Sequence, residues 1–274
     1  MENPLTTTSI LLHLNLKKWS GEVTDKKALQ AVANAFNTDV RKDKYTKSLF
    51  VTDCLSEINL IAGRLRNLFY YYTRSWLDNG GGRLIPGRMF QEFSTKYTKL
   101  RHEYEQAVME FIRNYEDHKA EAKSKKGDLY IESQYPPKES LKERFSVQLI
   151  ALPFPDVDDF RIDAPQEALD ELEQNMQQSM SQIEDTLTEE IRKRFTKRIA
   201  MLYKTLTVGK RFNKSLLEEL ATEIEFATHL QKSINKDFYE DMKKANRILA
   251  YEPEEIRNSQ TVQDELIEIC KELL

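Results

Sequence analysis

The chain has 274 residues, of which 31% are charged and 40% hydrophobic, with only 8 glycines and 8 prolines, a profile that favours long amphipathic helices over a turn-rich β domain. A formal net charge of -4 removes any global drive toward nucleic acid or an anionic membrane, so a basic surface has to be local. Two cysteines, Cys54 and Cys270, give neither a metal-ligand spacing nor a disulfide framework, no apolar run reaches the roughly 20 residues of a membrane span, and MENPLTTTS lacks a basic signal region. A soluble, cytoplasmic protein is expected, with no membrane partner.

Residues 10–19 alternate, with Ile10, Leu12, Leu14 and Leu16 on one side and His13 on the polar side, which predicts a half-buried strand. Residues 145–151 repeat the pattern with Phe145, Val147 and Leu149, stopped by Pro153 and Pro155. The two strands are expected to pair, because one strand alone leaves its backbone groups unsatisfied. Everything else reads helical.

From a cap region at Thr52-Asp53, the apolar positions Leu55, Ile58, Ala62, Leu65, Phe69, Tyr72 and Trp76 step alternately by three and four. After DNGGG a second seam follows at Phe90, Phe93, Tyr97, Leu100, Tyr104, Ala107 and Phe111. Folded back about the loop, the seams predict an antiparallel coiled-coil-like hairpin in which Ala62 faces Tyr104 and Ala107 faces Ile58, small against large in each layer.

Between the seams, GRLIPGRM falls short of the phosphate-cradling pattern G-x-x-x-x-G-K-[ST], with Arg88 at the lysine and Met89 at the hydroxyl position. A helix also stands where that pattern needs a strand. The stretch reads as a glycine-rich turn, with Pro86 near the start of the next helix and no bound cofactor. Arg83 and Arg88 beside that helix start form a candidate weak anion site.

Residues 119–128 read as a polar connector, and SQYPPKESLKERF as a short helix leading into the second strand. PFPDVDDFRIDAP reads as an extended linker whose Asp156, Asp158 and Asp159 lack the spacing and glycine of a calcium loop. From Gln166 to Val208 no glycine or proline occurs, and Leu169, Leu172, Met176, Met180, Ile183, Leu187 and Ile191 step by three, four and four. This 11-residue repeat predicts a long helix that is straight or winds slightly right-handed. Gly209 ends it, and amphipathic segments follow at 213–232, 234–250 and 254–274, the last bounded by Pro253. The expected fold is mainly α: an elongated helical hairpin with a small two-stranded β element over residues 1–163, then a C-terminal helical region over 164–274.

LNLKKWSG, GGRLIPG, YPPKESLKERFSVQL and PFPDVDDFRID, in this order over about residues 10–163, resemble an uncharacterised domain family of bacteriophages and integrative mobile elements. Members of that family often lie near genes for a MoxR-type AAA+ ATPase and a von Willebrand A-type protein. The resemblance implies a long helical hairpin with a small strand pair, and an AAA+ ATPase as a partner. It brings no catalytic residues with it.

His13, His102, His118 and His229 fall in different elements without metal-binding spacing, and His118 lies on the hairpin seam by phase. In FYYYTRSW the seam accounts for Phe69, Tyr72 and Trp76, leaving Tyr70 and Tyr71 as candidates for stacking on bases. No nucleophile, acid-base pair or metal set emerges, and no enzyme is expected. The strongest functional signal is charge segregation: residues 166–191 contain acids and no Lys or Arg, whereas Arg192, Lys193, Arg194, Lys197, Arg198, Lys204, Lys210, Arg211 and Lys214 follow without an acid. Macrodipole complementation reaches only the terminal turns and does not account for segregation of this length. The basic half is therefore the candidate interaction surface. Its partner is an acidic protein surface, which includes the acidic half of a second copy, in a non-enzymatic adaptor or assembly protein, or a phosphate backbone in a nucleic-acid-binding accessory protein.

Overall fold

The computed structural model describes residues 9–37, 44–76, 82–153, 166–209, 212–229 and 236–274, without the side chains at 153, 168, 169, 172, 173, 176, 180, 183 and 236. In chain order the elements are β1 (Ser9–Lys17), β2 (Glu22–Thr24), α1 (Lys26–Phe36), β3 (Thr46–Ser48), α2 (Ser56–Tyr72), β4 (Arg74–Ser75), β5 (Arg83–Pro86), α3 (Gly87–Arg113), α4 (Tyr115–Lys126) and β6 (Ser146–Pro153). The C-terminal part adds α5 (Gln166–Thr207), α6 (Lys214–His229), α7 (Lys236–Asn246), α8 (Pro253–Asn258) and α9 (Gln260–Glu272). The chain is mainly helical with a small antiparallel sheet of order β4-β5-β1-β6 and a separate β2–β3 pair. The two alternating segments do become neighbouring strands. The expectation that the rest is helical fails at β2–β3 and at β4–β5, where strands of two to four residues are too short to show a period.

The chain forms two compact units, one of Met1–His13, Tyr72–Gln91 and Ala151–Leu274, the other of Leu14–Tyr71 and Glu92–Ile150. Both are discontinuous in sequence, and the 163/164 boundary drawn above falls inside the third segment of the first, among residues outside the described set.

In the second unit, Phe50 is the hub of an aromatic cluster, with Trp19, Phe111, Tyr115, His118 and Tyr135 packed edge-on at centroid distances of 5.8 to 6.2 Å. The buried phenols each find a carbonyl: Tyr104 donates to Lys17 O at 2.7 Å, Tyr115 to Pro136 O at 2.8 Å and Tyr135 to Leu49 O at 2.5 Å. Gly21 is required twice over, since its φ is +68° and a Cβ there would meet Leu55 Cδ1 at 2.8 Å. Leu55, Ile58, Ala62, Leu65 and Phe69 of the first seam are buried, as are Phe93, Tyr97, Leu100, Tyr104, Ala107 and Phe111 of the second. Arg64 on α2 bonds Glu103 on α3 at 3.0 Å. His118 stacks on Phe111 with its ring tilted by 14°.

The 119–128 connector is a correction, because α4 carries KAEAKSKK as helix to Lys126. Glu116 and Asp117 in its first turn and Lys123, Lys125 and Lys126 in its last complement the macrodipole, which a hydropathy pattern does not register. A short 3-10 stretch, Lys138–Arg144, leads into β6.

In the first unit, Leu187, Ile191, Phe195, Ile199, Leu202 and Leu206 of α5 are buried, and α5 packs on α6 and α9. The side chains of Leu169, Leu172, Met176, Met180 and Ile183 lie outside the described residues, as do residues 77–81 of the loop and Asp156, Asp158 and Asp159. The segment 254–274 is two helices rather than one, since the Ser259 side chain accepts Val262 N–H and restarts the chain as α9. Among the described residues no helix is long and apolar enough to cross a membrane.

Ala62 has no exposed surface, whereas Asn67 on the same helix is exposed. Ala62→Leu is expected to overpack its surroundings and cost about 1–3 kcal/mol, while Asn67→Ser leaves stability nearly unchanged; urea unfolding of the two variants measures the difference.

Candidate interaction surface on the long helix

The four histidines lie on four different elements, β1, α3, α4 and α6. Among the described residues no group of three or more His, Cys, Asp and Glu could hold a metal ion. His13 is exposed on β1, and His102 is exposed beside Gln106 at 2.9 Å. Ser9 Oγ and His229 Nε2 meet at 3.3 Å across 220 positions, a contact with no counterpart in any sequence pattern. Ser9 keeps only 7% of its surface, so this hydroxyl serves as an internal bond and is closed to a substrate. Burial pushes the Cys54 thiol up to about 11 and the Cys270 thiol up to about 12, leaving both as protonated, unreactive groups at neutral pH. In the second unit a cleft of about 770 Å³ is lined by Val108, Met109, Ile112, Phe145 and Val147, with charged neighbours but no His or Cys among its described residues.

GRLIPGRM is part strand and part helix: Arg83–Pro86 forms β5 and Gly87–Met89 begins α3, so Pro86 does stand at the start of the next helix, while residues 77–81 lie outside the described set. β5 pairs on one side with Ser9–Leu12 of β1 and on the other with Arg74–Ser75 of β4, so its backbone amides serve the ladder. The two-residue strand β4 precedes the glycines where a helix is expected from the sequence. Arg83 donates to Thr73 Oγ1 at 2.8 Å and Thr73 O at 3.0 Å and approaches Glu190 at 4.0 Å, while Arg88 is exposed at the start of α3. Of the two candidate base-stacking residues, Tyr70 is exposed and Tyr71 half-buried.

The β4–β5 ladder is held by a buried ionic network. Arg74 has no exposed surface; its Nη2 bonds Glu223 Oε2 of α6 at 2.5 Å, its Nη1 donates to Thr73 O at 2.9 Å, and its guanidinium lies 4.0 Å from the Phe226 ring centroid. Glu190 of α5 accepts the Ser75 amide at 3.2 Å and Arg194 at 2.6 Å. Burial pulls the Arg74 pKa below its ordinary value, and the Glu223 carboxylate opposes that shift. Arg74 gave no sequence signal, but Glu223 did: it continues the apolar stepping of Leu216, Leu220 and Ala227, the position of a residue destined for burial.

Along the basic half of α5, much of the charge is used within the unit. Arg194 pairs with Glu190, Arg198 with Glu219 of α6 at 2.6 Å, Lys214 with Glu218 at 3.3 Å, and Lys193 with Glu189 at 3.5 Å. Arg192 sits 4.9 Å from the Phe238 ring centroid. Lys197 and Lys204 are exposed and have no ion-pair partner among the described residues, and Lys210 and Arg211 lie outside them. The blocks that segregate along the chain therefore meet in space, because Glu190 at their boundary takes up Arg194 and α6 brings Glu219 against Arg198.

No protein-family model matches the chain, and neither a curated protein nor a solved structure matches it.

Glu223→Gln leaves a buried guanidinium without its counter-charge and is expected to cost about 3–5 kcal/mol, whereas Arg74→Met with Glu223→Leu recovers much of that loss; thermal unfolding of the single and double variants reports it. Millimolar ATP with magnesium is expected to leave the melting midpoint unmoved, since only a ligand that binds the native state raises it. A saturable rise abolished by Arg88→Ala would restore the nucleotide reading.

Proposed function

We propose that this chain is a non-enzymatic helical adaptor or assembly subunit of a phage or mobile element, working in the cytoplasm with an AAA+ ATPase or a related protein partner. The observation that supports the protein-contact reading is the partial internal neutralisation of the basic half of α5. With Arg194 and Arg198 committed to Glu190 and Glu219, part of the basic block is no longer available to displace counterions from a phosphate backbone. In this reading the seams of α2 and α3 form a coiled-coil-like hairpin that acts as a stiff arm, and the long helix presents the contact surface. The phage setting and the ATPase rest on the resemblance of the four N-terminal motifs.

The rival reading, a nucleic-acid-binding accessory protein, makes an opposite prediction. Affinity capture of the tagged full-length chain from infected cells is expected to retain the same protein partners with and without nuclease. Loss of all partners after nuclease, together with salt-sensitive binding of duplex DNA by the pure protein, would replace the adaptor reading with the rival.

A further inference from the structure

The solvent-facing side of the basic half carries a pattern of its own. At 100° per residue, Lys193, Lys197, Met201, Lys204 and Val208 share one exposed side of the helix, stepping by four, four, three and four, with Lys193 and Lys204 opposite the buried row of Leu187, Ile191, Phe195, Ile199, Leu202 and Leu206 and Met201 and Val208 toward its flank. The last position falls just past α5, where Val208 N–H still bonds Lys204 O at 3.1 Å. At 1.5 Å per residue the stripe is about 22 Å long, the length of a four-turn helical contact. All five side chains are exposed, Met201 by 44% and Val208 by 59%. Lys197 and Lys204 have no carboxylate partner among the described residues, and the Lys193–Glu189 pair is open to solvent on both sides.

We infer that this stripe is a docking site for an acidic amphipathic helix of a partner protein, with carboxylates spaced to meet the three lysines and apolar side chains set against Met201 and Val208. The inference rests on the adaptor reading and names the chemistry of its partner. Charge selects the occupant: lysines without partners along one line attract a complementary line of acids. The apolar members separate a protein helix from a nucleic acid, because a phosphate backbone offers nothing to cover Met201 and Val208, whereas a flexible methionine packs readily against an incoming helix.

The test uses the full-length chain and a fluorescein-labelled, stapled helical peptide with Glu at i, i+4 and i+11 and Leu at i+8 and i+15, followed by anisotropy at physiological salt. The peptide is expected to bind, with affinity falling at least about tenfold for Lys197→Glu with Lys204→Glu and also falling for Met201→Ser. Lys96→Glu, on α3 and exposed, is expected to leave it unchanged. All substituted positions are exposed, and circular dichroism confirms that each variant folds. No binding, or binding indifferent to Met201→Ser, overturns the site, the second because it reduces the contact to bulk charge attraction. Binding of a duplex oligonucleotide that is lost in the Lys197→Glu, Lys204→Glu variant overturns it in favour of phosphate. A failed peptide experiment alongside nuclease-resistant capture removes this site and leaves the adaptor reading standing; nuclease-sensitive capture removes that reading itself.

Discussion

A guanidinium with no exposed surface can persist only beside a carboxylate, and in the first unit that requirement ties elements far apart in sequence. Arg74 reaches across 149 positions to Glu223 of α6. Glu190 of α5 takes up Arg194 and the Ser75 amide. The two-residue strand β4 has no apolar side chain to bury, whereas its partner β5 sends Leu84 and Ile85 into the core, and a ladder this short is not stable in isolation. β4 is therefore held by charge and β5 by apolar burial as well. Desolvation makes such a pair a weak source of net stability but a strict condition on arrangement, because any alternative that separates the partners strands a buried ion.

The second unit solves the same problem of specificity with phenols. Tyr104, Tyr115 and Tyr135 bury their rings in the cluster around Phe50 and send each hydroxyl to one particular carbonyl, on Lys17, Pro136 and Leu49 respectively. An all-aliphatic core of equal volume would tolerate slippage along the helix. A phenol that must find its acceptor does not.

These two devices also mark where the sequence could and could not be read. Alternation over β1 and β6, the burial of both helical seams and the single long helix α5 were legible, because each is a period sustained over many residues. The strands β2 and β3, three residues each, hold only one and a half periods, too little to stand out in a sequence, and α4 is too polar to display one. The break at Ser259 depends on one hydroxyl meeting one amide, a contact that becomes recognisable only after the backbone has turned. Glu223 was visible in principle as an acid in the apolar phase of α6, but a buried acid implies a buried base without saying which one.

The charge blocks of α5 illustrate the last step from sequence to surface. Read along the chain they are segregated; read around the helix, Arg194 and Arg198 fall on the flank toward acids while Lys193, Lys197 and Lys204 fall on the open side. The division by residue type follows from chemistry. A planar, weakly hydrated guanidinium suits half-buried pairs such as Arg198–Glu219, whereas a compact, strongly hydrated ammonium keeps its head in water. In this run Arg194 and Arg198 help to close the fold, while Lys197 and Lys204 keep their heads in water.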